Sequence, residues 1–179
     1  MTRAHKHDAT GIEKKKLWSE EYRRKVIIPE EVAQFSDQLH AEGVKITTLN
    51  GSFDLLHAGH MQIIYEASLQ GDVLMVALNS DRSIRAYKGP TRPIIPLQYR
   101  LEMMTALEFV HYVTWFDETD PLRILSEIKP DVHVNGAEYG ENCIEADIVK
   151  KYGGRIHIVN LIPGLSTSSI LKKIQSLQG

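Results

Sequence analysis

A chain of 179 residues, 42% hydrophobic and 25% charged, carries enough apolar material for one domain with a proper core. Its 21 basic and 23 acidic side chains sum to a net charge of −2, which argues against a dedicated nucleic-acid binder but leaves room for a local basic pocket. The lone Cys143 excludes an internal disulfide, the longest aliphatic run (residues 73–78) is far short of a membrane span, and the N-terminus lacks an apolar signal core, so a cytoplasmic protein with no nucleic-acid or membrane partner is expected.

Residues 1–28 read as an N-terminal arm, partly disordered, and residues 29–179 as a single domain. The first eleven residues hold little apolar material. Residues 13–25 are strongly charged, with Leu17, Trp18 and Tyr22 as their apolar members. That leaves open a helix laid on the body or a partner-binding segment. Pro29 at a first helical position, followed by Glu30 and Glu31, predicts a helix that buries Val32, Phe35 and Leu39 and ends at Gly43. A β-rich run over 44–49 gives way to the turn Asn50-Gly51-Ser52. After Phe53 and Asp54 a helical pattern takes over, with Met61, Ile64 and Leu69 near one face, Ile63 and Ala67 beside them, and Gly71 as a left-handed cap. Strand, glycine-containing turn and helix make the first half of a βαβ unit.

Such a turn aims backbone N–H groups and a helix N-terminus at whatever lies beyond the strand, which suits an anion. His57 and His60, three apart, share a helix face and can each donate to a phosphate oxygen. Gly59 between them lets a flat ring approach the backbone. Half of a metal site and a pair of structural histidines are the competing readings. The first lacks nearby ligands beyond Asp54, and the strand–turn–helix context favours phosphate over both.

Further along, 72–78 reads as a strand buried on both sides. Asn79 and Asp81 stand at its end, where ligands collect in open α/β sheets, although Ser80 or Asp81 could equally cap a short helix starting near Arg82. Residues 86–96 hold three prolines and a glycine, which forbid regular structure. Lys88 and Arg92 there suit a phosphate clamp, or else are plain solvated loop residues. An amphipathic helix follows over 97–109, with Leu101, Met104, Ala106 and Leu107 apolar. Arg100 sits in its first turn, where the helix dipole disfavours a cation; such local conflicts often mark function, and a surface salt bridge is the alternative. Then come a strand (110–116), a helix (121–128), a strand with His133 on one face (131–135), a strand-end loop (136–139), a helix stopped by Gly153-Gly154 (146–152) and a last strand (155–161). Hydroxyl residues 166–169 lead into a final helix, 170–175, with Leu171 and Ile174 inward. They serve as helix caps, and together with Gly164 they make a second anion site. The alternation predicts an α/β, Rossmann-like, doubly wound parallel sheet with helices on both faces.

The run NGSFDLLHAGH, residues 50–60, resembles the signature of the HxGH nucleotidyltransferases, the cytidylyltransferase-like superfamily that includes the class I aminoacyl-tRNA synthetases. Within it the chain is similar to the D-glycero-β-D-manno-heptose 1-phosphate adenylyltransferases over about residues 45–174. The similarity includes a KG…RP loop at Lys88-Gly89 and Arg92-Pro93, and an arginine at Arg100. It also includes a Gly-x-Ser-Thr-Thr element, with Ser168 replacing the second Thr. The resemblance implies transfer of AMP from ATP to heptose 1-phosphate, with release of pyrophosphate and formation of ADP-heptose for the lipopolysaccharide core. It implies catalytic roles for His57, His60 and Lys88. It implies nucleotide binding by Asn50, Gly51, Ser52, Phe53, Gly59, Asn135, Gly136, Ser166, Thr167 and Ser168, and acceptor binding by Asp54, Asn79, Asp81, Arg92 and Arg100. Mg²⁺ is expected to accompany ATP through substrate phosphates and waters, with no protein ligand named. The expected partners are ATP and a phosphorylated small-molecule acceptor, in a homo-oligomer, specifically a dimer.

Departures from the pattern bear on the acceptor. Asn135-Gly136 stands where Lys-Gly is usual, keeping a donor and losing a charge. Ile162-Pro163 stands where glycerol 3-phosphate cytidylyltransferases carry an arginine. Cytidylyl transfer to glycerol 3-phosphate or phosphoethanolamine, adenylyl transfer to a flavin or pantetheine precursor, and a non-catalytic nucleotide sensor are the alternatives. A synthetase fragment is disfavoured by the lack of a KMSKS-like loop. Many relatives are fused to a sugar kinase, for which these residues leave no room.

Overall fold

The computed structural model describes residues 17–160, 164 and 166–177. A short helix α1 (Trp18–Glu21) and two 3₁₀ turns (Tyr22–Lys25 and Pro29–Glu31) lead to α2 (Val32–Ala41). Next come β1 (Ile46–Gly51), α3 (Ala58–Ser68), β2 (Val73–Asn79), α4 (Asp81–Lys88), α5 (Leu97–Thr105) and β3 (Tyr112–Phe116). The chain continues through α6 (Leu122–Ile128), β4 (Val132–Gly136), α7 (Ala146–Lys151), β5 (Arg155–Val159) and α8 (Thr167–Ser176).

Every strand pairing is parallel, in the order β3-β2-β1-β4-β5. The chain steps outward from β1 through β2 to β3, then returns to the other side of β1 for β4 and β5. The β1/β4 boundary is therefore the point where the winding reverses, and ligands of such sheets settle beyond the strand ends there. Register sends alternate residues to opposite faces: Thr48 lies between Met75 and His133, Leu49 between Val76 and Val134. On one face Leu49, Val76 and Val134 pack with Ile63 and Ile64 of α3 and Met104 of α5. On the other, Ile46, Met75 and Ala77 pack with Val32 of α2 and Ile124, Leu125 and Ile128 of α6. This is the expected doubly wound sheet, and full burial of its central strands explains their nearly unbroken apolar runs.

Several local expectations need correction. β1 continues through Asn50 and Gly51, which pair with Ala77 and Leu78 instead of forming a turn. Gly71 is not a helix cap: α3 ends at Ser68, with Leu69 in right-handed geometry and 63% exposed. Gly71 is needed because a Cβ there would lie 2.7 Å from Thr47 Oγ1 and 2.8 Å from the Lys45 carbonyl. Helix α4 runs through Lys88, so the irregular loop starts only at Gly89, and its prolines constrain the stretch between α4 and α5. α5 stops at Thr105, short of residue 109, where the chain tightens into turns that lead to β3. α8 begins at Thr167 and buries none of its residues, and Ile174, expected inward, is 48% exposed.

Part of the expected arm belongs to the body. The Trp18 indole donates to Glu102 of α5 (3.1 Å) and Lys25 to the Leu107 carbonyl (3.1 Å). The Ile27 N–H donates to the Val113 carbonyl (2.9 Å), so residues 26–27 line the outer edge of β3. The remaining arm, residues 1–16, lies outside the described residues, as do residues 161–163 and 165.

Candidate active site

A cavity of about 300 Å³ opens at the β1/β4 switch point. Its floor is the end of β1. A Cβ on Gly51 would stand 3.0 Å from the Phe53 ring, so the glycine admits that ring beneath the cavity. Phe53 is 5% exposed and takes a positive φ of 43°, uncommon for a bulky L-residue. Its ring meets His60 edge-on, with centroids 5.2 Å apart.

The two histidines occupy different places on α3. His57 is the N-cap, and its Nδ1 accepts a long hydrogen bond from the His60 N–H (3.4 Å). Nδ1 must then be unprotonated, which puts the His57 proton on Nε2. The rings stack at 3.8 Å between centroids and 20° between planes, and His60 Nδ1 is buried, so that ring reaches the cavity through Nε2. Burial lowers the His57 pKa. Burial first, then His57 and Lys88, bring His60 down to about 4, with the Leu55 backbone pulling the other way. Near neutral pH both imidazoles are therefore uncharged, each carrying a single N–H.

Across the same cavity stands the N-terminus of α8. Ser166 and Ser169 form a reciprocal capping box: the Ser169 N–H donates to Ser166 Oγ (3.1 Å) and the Ser166 N–H to Ser169 Oγ (2.9 Å). Ser166 Oγ is thus engaged in the cap, and the first-turn N–H groups of Thr167 and Ser168 are left for a ligand. Lys88, the last residue of α4, reaches the β1 end and donates to Ser52 Oγ (2.9 Å). Its pKa is lowered by burial and then by Arg92, with Asp54 opposing and Arg100 adding to the lowering.

All the residues expected to be catalytic or nucleotide-binding line this cavity: His57, His60, Lys88, Asn50, Gly51, Ser52, Phe53, Gly59, Asn135, Gly136, Ser166, Thr167 and Ser168. Leu49, Ile63, Glu138 and Tyr139 line it too and were not singled out; their sequence signal was the position of 138–139 just past the end of β4. Asn135 is 5% exposed and donates to the buried carboxylate of Glu145 (3.3 Å), another residue the sequence did not mark.

The residues expected to bind the acceptor are elsewhere. Asp54, Asn79, Asp81, Arg92 and Arg100 are outside the cavity lining and are tied to one another and to the backbone. Asp54, 1% exposed, accepts from Arg92 (2.6 Å) and from the N–H groups of Ile94 and Ile95 (2.8 Å each). Asp81 accepts from the Leu97 N–H, capping α5, and from Arg100 (2.8 Å each). Asn79 donates to Ser83 Oγ (3.0 Å), while Ser80 caps α4 through the Ser83 N–H (3.1 Å).

A parallel sheet that reverses its winding at a cavity, two helix starts facing that cavity and neutral imidazoles at one of them define an α/β domain whose site suits an anion. The chain belongs to the cytidylyltransferase-like family, whose model matches residues 48–176. It is 42% identical over 148 residues to the bifunctional protein HldE of Gluconobacter oxydans, covering 82% of this chain and 31% of that protein. It is 44% identical over 140 residues to the HldE of Geobacter metallireducens, covering 78% and 29%. The chain thus spans about a third of the length of these relatives. Among solved structures, a lipopolysaccharide core biosynthesis protein from Thermoplasma volcanium superposes with a TM-score of 0.54 at 29% identity, over 67% of this chain and 98% of that one. A pantoate-beta-alanine ligase from Francisella tularensis shares the fold, with a TM-score of 0.53 at 15% identity over 86% and 80% of the two chains.

Proposed function

We propose that this domain transfers AMP from ATP to a heptose 1-phosphate, releasing pyrophosphate and forming ADP-heptose. The observation that carries the reading is the convergence of His57, His60, Lys88 and the α8 N-terminus on one cavity. An oxygen of the acceptor phosphate attacks the α-phosphorus in line, the bond from that phosphorus to the bridging oxygen breaks, and the electron pair leaves on pyrophosphate. The protein's share is positioning and stabilisation of spreading negative charge. His57 and His60 donate to the α-phosphate and the bridging oxygen, Lys88 neutralises charge from the β1 side, and the Thr167 and Ser168 N–H groups hold the leaving pyrophosphate.

Mg²⁺ belongs to the same proposal. The described residues contain no group of three or more His, Cys, Asp or Glu able to cage a metal, and Glu138 is the single carboxylate among the cavity-lining residues. That donor set suits an ion carried in by the triphosphate, where it would supply further charge neutralisation. The heptose acceptor rests on the resemblance of the sequence to the heptose 1-phosphate adenylyltransferases, and the likeness to a lipopolysaccharide core biosynthesis protein from Thermoplasma volcanium accords with it. Pyrophosphate release from ATP, CTP, GTP and UTP, crossed with a panel of phosphorylated acceptors, tests the reading. ATP with heptose 1-phosphate should turn over fastest; CTP with glycerol 3-phosphate in that place would replace the substrates and keep the mechanism. A dimer is expected from the same resemblance, and sedimentation velocity reads it independently of the chemistry.

A further inference from the structure

Arg100 was expected to touch a phosphate, and its side chain goes the other way. It is 1% exposed and outside the cavity lining. Nε donates to the Ile95 carbonyl (2.9 Å), Nη1 to the carbonyls of Ser52 and Asn79 (2.8 Å each), and Nη2 to Asp81 (2.8 Å). These bonds occupy four of the five N–H groups a guanidinium can donate.

The bond to Ser52 has a consequence one peptide further on. In a trans peptide the C=O and the following N–H point in opposite directions. With the Ser52 carbonyl turned onto the buried guanidinium, the Phe53 N–H is turned the other way, toward the cavity that Ser52 and Phe53 line. Among the described residues nothing accepts from that N–H. The unusual backbone is clamped on both sides of it: Phe53 keeps its φ of 43° while its ring packs on His60, and the next residue, Asp54, is pinned by Arg92, Ile94 and Ile95. Ile95 returns to Arg100 through its carbonyl, closing the clamp. A non-glycine residue held at positive φ, with a free N–H facing a cavity, is strain of the kind found at ligand clamps.

We infer that Arg100 is a positioning residue: it fixes and polarises the Ser52–Phe53 peptide so that the Phe53 N–H meets an α-phosphoryl oxygen of the bound nucleotide. The identity of that anion rests on the nucleotidyl-transfer reading; the orientation of the peptide does not.

The test uses the full chain, ¹⁵N-labelled at phenylalanine and titrated with α,β-methylene-ATP, beside steady-state kinetics. In wild type the Phe53 amide resonance should shift saturably with the nucleotide. In Arg100→Lys that shift should largely vanish, and kcat should fall by roughly 10²-fold, the loss typical of one preorganised oxyanion donor, with KM for ATP changed by less than about threefold. A merely structural Arg100 would lower Tm and leave the amide response of the folded protein intact. Should Arg100→Lys fail to fold, Arg100→Gln/Asp81→Asn, which removes the cation and its carboxylate together, takes its place. Replacing Phe53 with its α-hydroxy acid removes the N–H, and weakens the Ser52 carbonyl as an acceptor, in a chain that keeps Arg100, and should cost at least a similar factor in kcat. An unresponsive Phe53 amide in wild type, an undiminished response in the Arg100 variant or an ester-containing protein of full activity overturns the inference. A protein that fails to use heptose 1-phosphate yet shows the Arg100-dependent amide shift overturns the proposed acceptor and leaves this inference standing.

Discussion

His60, with its pKa near 4, carries no charge through the ordinary working range, and in the proposed mechanism it serves as a fixed N–H donor. His60→Ala should therefore lose roughly 10²–10³ in kcat, about 2.7–4 kcal/mol of transition-state stabilisation, while still binding ATP. His60→Asn keeps a misplaced donor and should lose less. Because His57 stacks on His60 and would serve the same phosphate in the proposed mechanism, the double variant should lose less than the sum of the singles. Measured kcat, Tm and metal content on these variants separate the readings: a lower Tm with unchanged kcat would make the pair structural, and lost transition metal would make it a metal site. In the same mechanism Lys88 would act by charge, so Lys88→Ala should lower kcat/KM and shift stability by no more than about 0.5 kcal/mol. With its pKa lowered, the ammonium loses its proton at a lower pH than free lysine, and wild-type kcat/KM should fall on that alkaline limb. A limb unchanged in Lys88→Ala would assign it to another group. The placement of the histidines was legible in the sequence because it is local, cap and first turn of one helix. The bracing contacts of Arg100 and Asp54 were not legible because their partners are remote: Ser52 lies 48 positions from Arg100, and Arg92 lies 38 from Asp54. A charged residue near a phosphate motif looks alike from sequence whether it faces the ligand or braces the backbone behind it.

Elements were read well where a cap or a period marks them and poorly where tertiary contacts move the boundary. Asn50 and Gly51 look like a turn, yet pairing with Ala77 and Leu78 keeps them in the strand. Residues 166–169 read as caps ahead of a helix over 170–175, yet the capping box at Ser166 starts α8 already at Thr167. That early start brings the Thr167 and Ser168 N–H groups into the cavity wall. Because α8 has no buried residue, its N-cap should matter more to ligand binding than to global stability. Ser166→Ala removes a cap whose loss typically costs about 1 kcal/mol of helix stability. It should raise KM for ATP and leave the melting temperature within error of wild type. Ser166→Gly, a tolerated N-cap, should recover most of the affinity. A fall in Tm with unchanged KM would place α8 in the core and take it out of the phosphate site.

At the scale of the whole molecule, alternating βα patterns made the doubly wound class legible, but strand order depends on which edge each crossover chooses, and nothing local records that choice. The same burial that hides the order from the sequence sets the protein's response to acid. His133 on β4 is fully buried, bonded through Nδ1 to Thr48 Oγ1 (2.8 Å), and burial pushes its pKa down to about 3. Burial likewise lowers His57, His60 and His111. In the unfolded chain these imidazoles titrate near the ordinary value of about 6.5. The unfolded state thus binds protons that the native state refuses, which sets the sign: stability is fully present above that value and falls as pH drops below it, continuing until the folded pKa is reached. For His133 alone the loss from pH 7.5 to pH 5 is on the order of 2 kcal/mol, and the other histidines add to it in the same direction. Carboxylates held low by cations, such as Glu118 beside Arg123 and Asp37 beside Lys129, lose their contribution only in more acidic solution, so the window from pH 5 to 7.5 isolates the histidines. Urea unfolding across that window should show a steep decline in wild type. His133→Asn can still meet the Thr48 hydroxyl but has no imidazole to titrate, so whatever its stability at pH 7.5, its decline toward pH 5 should be visibly shallower. Parallel slopes in the two proteins would mean that His133 accepts its proton without unfolding the sheet around it, and would refute the assignment.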